Sequence, residues 1–298
     1  MTHVAVTMPA HAKLNLFLRV LSRETDGFHG IETLFCLVTL ADVLHAERRE
    51  GRGVTIDVLG GETGPVADNL AVRAASMVLQ ATGNRFAVHL SLEKKIPIAA
   101  GLGGGSSDAA ASLHLVNHLA GDAVPRHELL QFAAKLGSDV PFFLSGAALA
   151  LGWSRGERLL RLPPLPSAPA LLLSPSTPIR TAEAYGWVDS ARQAEHRRGA
   201  LALDLDVLTR WGDIGRMAGN DFESPVFGRI PAIRSAFEAL VGTAPLVCRM
   251  SGSGSTLFAV YRSERDRDDA TMRLGRKYGA LTSVATLAQI APGPTPAT

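Results

Sequence analysis

The residues whose types and spacing are most suggestive of chemistry lie between positions 99 and 113, where four glycines and two serines precede an alanine-rich segment. Glycine tolerates positive φ and places no side chain between the backbone amides and a ligand. Ser106 or Ser107 can cap a helix predicted from about Ser107 to Leu119, whose first amides point outward at the positive end of the helix dipole. The pattern predicts a phosphate-binding loop. The four glycines are Gly101, Gly103, Gly104 and Gly105.

The alternative is a glycine-rich turn that only joins a strand to a helix. Such connections are usually about 2 to 6 residues long and rarely need four glycines and two hydroxyls. The run is not a Walker A loop, because no lysine follows its last glycine. A nucleotide site of another lineage is therefore favoured.

A lysine and an aspartate far apart in the chain form a second candidate. Lys13 and Asn15 share one face of an extended segment, and lysine seldom lies on an apolar strand without a specific partner. Asp139 precedes the apolar run 140–144, so its carboxylate is expected at the rim of the core. Paired with Lys13, it would be a base held ionised by a cation and suited to accept a hydroxyl proton. A turn or helix-capping aspartate is the alternative.

Two weaker signals are a second glycine-serine loop and a histidine pair. The loop SGSGS, 251–255, can direct several amides at one anion, although a simple hairpin would look the same. His114 and His118 have a spacing that can chelate zinc, but no third ligand is evident. Solvated or packed histidines are favoured there.

Composition narrows the class of partner. The chain has 298 residues, 46% of them hydrophobic, and a net charge of +2, which suggests about two domains and no nucleic-acid-binding surface. The largest basic cluster is 196–198. Cys36 and Cys248 are expected in the core, with no disulfide or zinc site, and neither export nor a membrane-spanning segment is expected. A small-molecule partner, no membrane association and a cytoplasmic location are predicted.

Hydrophobic patterning predicts an α+β fold with interleaved strands and helices. The proline-rich segment 162–169 is expected to connect two domains, Pro141 to limit regular structure, and the tail 291–298 to be disordered. Strands are predicted at 14–21, 54–59, 86–92, 170–174, 246–250, 256–261 and 283–290, and helices at 107–119, 126–135, 204–211, 230–240 and 264–278.

With these motifs in order, the chain resembles the GHMP kinases, named after galactokinase, homoserine kinase, mevalonate kinase and phosphomevalonate kinase. The likeness covers most of the chain and is strongest to members acting on a cytidine diphosphate-linked methylerythritol. It implies an N-terminal domain like domain 2 of ribosomal protein S5 over residues 1–161 and a C-terminal ferredoxin-like domain over residues 162–298. The motifs are AKLNLFL (12–18), DGFH (26–29), ADNLAVRAA (67–75), GLGGGSS (101–107), GSDVPFF (137–143), TAEAY (181–185), GNDFE (219–223) and SGSGS (251–255).

The resemblance implies a function as well as a fold. ATP with Mg²⁺ would phosphorylate the 2-hydroxyl of the cytidyl substrate, in the non-mevalonate route to isoprenoid precursors. Lys13 and Asp139 would be the catalytic pair, and Mg²⁺ would be held through ATP, with Ser107 as a candidate contact. Asp108 would either face away from the phosphates or help to bind Mg²⁺. A monomer or weak homodimer is expected.

The resemblance also assigns the remaining site residues by motif. Phe28 stands where tyrosine is usual, which keeps an aromatic ring but loses a hydroxyl. The candidates for binding ATP are Asn69, Lys95, Pro97, Ala99, Ala100, Gly101, Leu102, Gly103, Gly104, Gly105, Ser106, Ser107 and Asp108. The candidates for binding the acceptor are Asn15, Phe28, His29, Thr181, Tyr185, Gly252, Ser253 and Gly254.

Three alternatives share this scaffold. A diphosphate decarboxylase that phosphorylates only to expel carboxylate is disfavoured by DGFH and by the GGGSSD form of the loop. A homoserine or sugar kinase would be distinguished by its acceptor. A silent nucleotide-binding regulator is expected to lack the lysine or the aspartate, and both Lys13 and Asp139 are present.

Overall fold

The structure is a computed structural model that describes residues 4–25, 27–61, 63–192, 203–278, 281–290 and 293–297. Asp26 of the DGFH motif and the basic cluster 196–198 lie outside the described residues. No helix in the described part of the chain is long and apolar enough to cross a membrane.

The first sheet carries the elements that frame the glycine loop. Its main path runs β11-β1-β2-β4-β3, and β5 pairs with both β2 and β6. Strands β1 and β2 are antiparallel, whereas β3 and β4 are parallel. The strands are β1 (Ala5–Arg23), β2 (His29–Arg49), β3 (Gly53–Leu59), β4 (Ala87–Glu93), β5 (Leu149–Ser154), β6 (Arg158–Arg161) and, at the C-terminus, β11 (Thr295–Pro296).

Strand β1 is much longer than the predicted 14–21. Its pairing with β2 is interrupted by bulges between His11 and Lys13 and between Asn15 and Phe17. A bulge bends a strand and redirects its side chains. The predicted strand covers the C-terminal half of β1, and the structure extends it toward the N-terminus as far as Ala5.

Four helices accompany this sheet: α1 (Leu70–Ala81), α2 (Gly104–Leu119), α3 (Arg126–Leu136) and α4 (Val140–Ser145). Helix α2 is buried along most of its length, and its alanines allow close packing against β1 and α1. The expectation that Pro141 limits regular structure is wrong, because it lies in the first turn of α4. Proline is tolerated there, since that position has no intrahelical N–H bond to lose.

The second sheet is antiparallel, in the order β10-β7-β9-β8, and confirms the α+β prediction. A predicted helix at 204–211 is replaced by one 3₁₀ turn, Val207–Thr209, before the helix that begins at Trp211. The strands are β7 (Pro169–Leu173), β8 (Val247–Met250), β9 (Leu257–Val260) and β10 (Leu281–Ala285). The helices are α5 (Thr181–Arg192), α6 (Trp211–Met217), α7 (Glu223–Arg229), α8 (Pro231–Val241) and α9 (Glu264–Gly275).

The C-terminal tail returns to the first sheet. Val6 of β1 pairs with Pro296, and the Ala297 amide donates to the Ala5 carbonyl at 3.0 Å. The prediction of a disordered tail is therefore wrong for 293–297, where proline occupies a two-residue edge strand. The segment 162–169 joins the two sheets, and the division at residue 161 stays a prediction.

Cysteines and histidines singled out by sequence occupy ordinary structural positions. Cys36 and Cys248 are free and buried, as expected of core residues. His114 contacts the Leu144 carbonyl at 3.3 Å, and His118 is half exposed at 3.4 Å from Asp122.

Candidate active site

The glycine loop, the Lys13–Asp139 pair and the second glycine-serine loop line one cleft of about 1010 Å³ between the two sheets. The predicted site residues that line it are Lys13, Asn15, Asn69, Pro97, Ala99, Ala100, Gly101, Gly103, Gly104, Gly105, Ser106, Asp108, Asp139, Thr181, Tyr185, Gly252, Ser253 and Gly254. The predicted residues that do not line it are Phe28, His29, Lys95, Leu102 and Ser107.

Lys13 is a buried cation of the cleft, with 3% of its surface exposed. Its Nζ donates to the Asn15 Oδ1 at 2.6 Å and to the Gly101 carbonyl at 2.8 Å, and it lies 3.7 Å from the Asp139 Oδ2. Burial lowers the pKa of Lys13, and the charge of Asp139 opposes that effect. Asn15 is in turn fixed by a 2.7 Å bond from its Nδ2 to the Thr33 hydroxyl.

Asp139 lies at the N-terminus of α4, in the turn that follows Gly137. Its side chain is 28% exposed, so the carboxylate is open to the cleft while Lys13 supports it from below. A carboxylate fixed beside a buried ammonium can accept a proton from an acceptor hydroxyl or orient that hydroxyl.

The glycine loop begins its helix earlier than the sequence predicts. Helix α2 starts at Gly104, and its N-cap is Gly103 at φ 73° with no side-chain cap, so neither serine caps it. Ser107 is buried, and its amide already donates to the Gly103 carbonyl at 2.9 Å. Amides in the first turn before Ser107 have no intrahelical acceptor, which leaves them free for an anion.

The second sheet contributes the loop 251–255 to the same cleft. The Ser251 hydroxyl donates to the Gly101 carbonyl at 2.9 Å, and the Thr256 amide donates to the Ala100 carbonyl at 3.3 Å. A Cβ on Gly101 would lie 2.2 Å from the Ser251 carbonyl oxygen. Glycine is therefore required at 101 both by its φ of 78° and by this close approach.

Lys94, and not the predicted Lys95, points into the cleft. The Lys95 side chain is 58% exposed, with Glu93 4.0 Å away. The Lys94 Nζ instead donates to two buried carboxylates, those of Asp42 and Asp108, the latter at 2.7 Å. The sequence did contain this signal, because Leu90 and Leu92 of β4 are buried and residue 94 continues their face.

Asp108 faces Lys94 across the base of the glycine loop. One carboxylate oxygen, Oδ2, accepts from Lys94, and the other, Oδ1, has no hydrogen-bond partner. Burial raises the pKa of Asp108 to about 7, although the charge of Lys94 opposes the shift. Asn69 lies at the same end of the cleft, where its Oδ1 accepts from the Ala71 amide at 2.9 Å and caps α1.

At the other end of the cleft, Tyr185 of α5 packs against two aromatic rings. Its ring stacks on His29 at 4.9 Å and meets Phe222 edge-on at 4.9 Å. The His29 Nε2 contacts the Asp189 carboxylate at 2.7 Å. Phe28 is 58% exposed and lies outside the cleft lining, with the Arg155 guanidinium 4.1 Å above its ring.

The motif GNDFE, 219–223, reaches the cleft through Phe222, while Asn220 and Asp221 lie behind the lining. The sequence assigned no role to its individual residues. The Asn220 Nδ2 donates to the Met250 and Gly252 carbonyls at 2.7 and 2.8 Å. The Val20 amide of β1 donates to the Asp221 carboxylate at 2.9 Å. Buried polar side chains with several backbone partners were not distinguishable in the sequence from ordinary turn residues.

Comparisons with known proteins agree with this arrangement. The family models "GHMP kinases N terminal domain" and "GHMP kinases C terminal" match residues 69–147 and 200–280. A 4-diphosphocytidyl-2-C-methyl-D-erythritol kinase of Solibacter usitatus is 41% identical, covering 87% of this chain and 83% of the relative. A protein of the same name from Moorella thermoacetica is 38% identical, covering 95% and 99%.

Solved structures extend the comparison to the whole fold. A crystal structure of 4-(cytidine 5'-diphospho)-2C-methyl-D-erythritol kinase has a TM-score of 0.79 and 33% identity, covering 94% of this chain and 98% of that one. A homoserine kinase from Cytophaga hutchinsonii has a TM-score of 0.72 at 21% identity, covering 99% and 97%, which is a likeness of fold. The chain belongs to the GHMP kinases, in the family of the 4-diphosphocytidyl-2-C-methyl-D-erythritol kinases.

Proposed function

We propose that this protein transfers the γ-phosphoryl group of ATP to the 2-hydroxyl of 4-diphosphocytidyl-2-C-methyl-D-erythritol, in the synthesis of isoprenoid precursors. The main support is the Lys13–Asp139 pair, whose Nζ and Oδ2 atoms lie 3.7 Å apart beside the glycine loop. The Gly101 carbonyl of that loop also accepts a hydrogen bond from Lys13. Family membership supplies the substrates, and the geometry supports the reaction type.

In the proposed reaction, Asp139 accepts the proton of the 2-hydroxyl as its oxygen bonds to the γ-phosphorus. The bond from that phosphorus to the bridging oxygen breaks, and ADP leaves with the electron pair. Lys13 keeps Asp139 ionised and offers positive charge to the transferring group. Phosphoryl transfer depends mainly on such positioning and charge neutralisation, so the loop amides before Ser107 contribute strongly.

The residues near the loop fit a magnesium ion carried by ATP. Mg²⁺ keeps several waters and usually takes one or two carboxylates plus substrate phosphates, rather than an all-protein cage. In the described part of the chain no cluster of three metal-ligating side chains occurs, and the unpartnered Oδ1 of Asp108 is the suitable donor. Bound there, Mg²⁺ would neutralise phosphate charge, with Ser107 retained as a second candidate contact.

The two ends of the cleft are proposed to hold the two substrates. Asn69, Pro97, Ala99 and Ala100 would border the adenosine, with Lys94 in place of the predicted Lys95. Thr181 and Tyr185 would contact the cytidyl end beside His29. Phe28 is exposed in the structure, so its contact with cytosine stays a prediction.

A coupled ADP-release assay tests this function. The cytidyl substrate is compared with free 2-C-methyl-D-erythritol 4-phosphate, mevalonate and homoserine, each with ATP and Mg²⁺. The proposal expects turnover with the cytidyl compound and little with the others. Equal activity on the free phosphate would refute the cytidyl assignment, and ATP binding without ADP release from any acceptor would favour the silent regulator.

We also propose that the chain divides into domains 1–161 and 162–298. The protein is expected to be cytoplasmic and to be a monomer or a weak homodimer. Separate expression of residues 1–161 tests the domain division. Sedimentation analysis tests the oligomeric state, and fractionation of the source cells tests the location.

A further inference from the structure

The segment 219–223, here called the bracket, bonds to both halves of the cleft at once. On one side it extends the first sheet, since the Leu18 amide donates to the Gly219 carbonyl at 2.8 Å and the Asp221 amide donates to the Leu18 carbonyl at 3.0 Å. Leu18 belongs to β1, the strand that carries Lys13. The bracket is thereby fixed to the strand of the catalytic lysine.

On its other side the bracket holds the loop 251–255. Asn220 donates both protons of its amide group, to the carbonyls of Met250 and Gly252, and its Oδ1 accepts from the Phe222 amide at 2.9 Å. Glu223 accepts from the Met250 amide at 2.8 Å. Both amide protons and the carbonyl oxygen of the Asn220 side chain thus have backbone partners, and the residue is 6% exposed.

Gly252 is the point at which this support reaches the catalytic group. A Cβ at Gly252 would lie 3.2 Å from the Gly101 carbonyl oxygen and 3.3 Å from the Lys13 Nζ. Gly252 therefore lies beside both the glycine loop and Lys13, and its carbonyl accepts a hydrogen bond from Asn220. Asn220 itself does not line the cleft.

We propose that Asn220 is a positioning residue for phosphoryl transfer, because its two hydrogen bonds hold the loop 251–255 in register with Lys13 and Gly101. This role rests on the proposed function, and it adds to the site a residue that acts through Gly252 and not by touching the substrates. A residue of this kind controls turnover more than substrate affinity, since it sets the geometry at the reacting phosphoryl group.

The test uses Asn220→Ser and Asn220→Asp, with Asn117→Ser as the matched control. Asn117 is also buried and makes two backbone bonds, to the Val124 carbonyl at 3.0 Å and from the Val124 amide at 2.9 Å. It lies 13 residues beyond Gly104 in α2, about 20 Å along the helix axis. Loss of its bonds affects stability without moving the second loop.

For Asn220→Ser the expected result is a kcat lowered on the order of 100-fold, the effect of about 1 Å of misplacement. KM for ATP and for the cytidyl substrate should stay within about threefold. Asn220→Asp should lose at least as much, because a carboxylate cannot donate to either carbonyl. Rates are normalised to the folded fraction, and Asn117→Ser should keep the wild-type kcat.

Amide hydrogen exchange supplies a readout that needs no turnover. In Asn220→Ser, the peptide covering 251–256 should exchange on the order of 10-fold faster, while β3 and β4 keep their protection. Unchanged exchange in that peptide, or a kcat loss no larger than that of Asn117→Ser, would overturn the proposal. A wild-type protein inactive on the cytidyl substrate would count against the proposed function alone, because the exchange result still decides about Asn220.

Discussion

Replacing Gly101 by alanine gives the sharpest test of how the two loops meet. Gly101 has a φ of 78°, and a Cβ there would lie 2.2 Å from the Ser251 carbonyl oxygen and 3.0 Å from the Gly254 carbonyl oxygen. Both neighbours are backbone atoms, so no flexible side chain can rotate away. The substitution must move one loop relative to the other.

The magnitude follows from two separate costs. Relief of the contact with Ser251 requires a separation of the backbones by about 1 Å, and a misplacement of that size in a catalytic site can lower turnover on the order of 100-fold. The positive φ adds about 1 to 2 kcal/mol of destabilisation for any residue with a Cβ. Lys13 donates to the Gly101 carbonyl, so the same movement also displaces the Lys13 ammonium.

Gly121→Ala is the matched control for the backbone cost. Gly121 has a φ of 76° and nothing within 4 Å of the added Cβ, so only the conformational penalty applies there. Urea unfolding should show Gly121→Ala destabilised by about 1 to 2 kcal/mol with wild-type kcat, and Gly101→Ala should lose both stability and turnover. If Gly101→Ala matched Gly121→Ala in stability and kept kcat within about threefold of the wild type, the reasoning about loop contact would be refuted.

Three further predictions concern charged groups. Lys94→Met leaves buried Asp42 without its cation and should lower the free energy of unfolding by about 3 to 5 kcal/mol, whereas exposed Lys95→Met should change it by under about 0.5 kcal/mol; equal effects in urea titrations would contradict the assigned contacts. Burial raises the pKa of Glu223 from 4.5 to about 7, so the stability that its protonated form contributes is complete below pH 4.5 and is lost as pH rises through about 7. The free energy of unfolding should therefore fall between pH 5 and pH 8, and Glu223→Gln should remove up to about 3 kcal/mol of that fall. An unchanged pH slope in Glu223→Gln would count against this assignment. Asp139→Asn should bind ATP normally in calorimetry yet lose most ADP release, and wild-type kinetics would remove Asp139 from the mechanism.

Much of the site could be predicted from local pattern. The glycine loop is recognisable by its composition, because no other residue type permits positive φ so close to a neighbouring backbone. Lys13 stood out as a cation on an apolar strand, and Asp139 as a carboxylate at the edge of an apolar run. The structure brings these groups into one cleft, as the sequence predicted.

Errors concentrated where local pattern allows two answers. Lys94 and Lys95 differ only in which face of the chain they continue beyond β4, and the buried partner Asp42 lies 52 residues away. The N-cap of α2 is Gly103, whose left-handed φ places it outside the helix, so the helix begins at Gly104 and not at the predicted Ser107. Strand β2 and helix α1 were missed, although the buried residues of α1 repeat at helical spacing and the sequence therefore offered a signal for that helix.

The sequence by itself determined the residue types proposed to bind phosphate and to accept a proton, because these depend on backbone freedom and charge at short spacing. Tertiary structure alone decided which carboxylates pair with Lys94, where Asp108 points and how Asn220 holds the loop 251–255. The segment that carries Asn220 is in turn bonded to residues about 200 positions away in the chain; Val20 and Asp221, for example, are 201 positions apart. Such pairing is set by how the two sheets pack together, which no local pattern of side chains records.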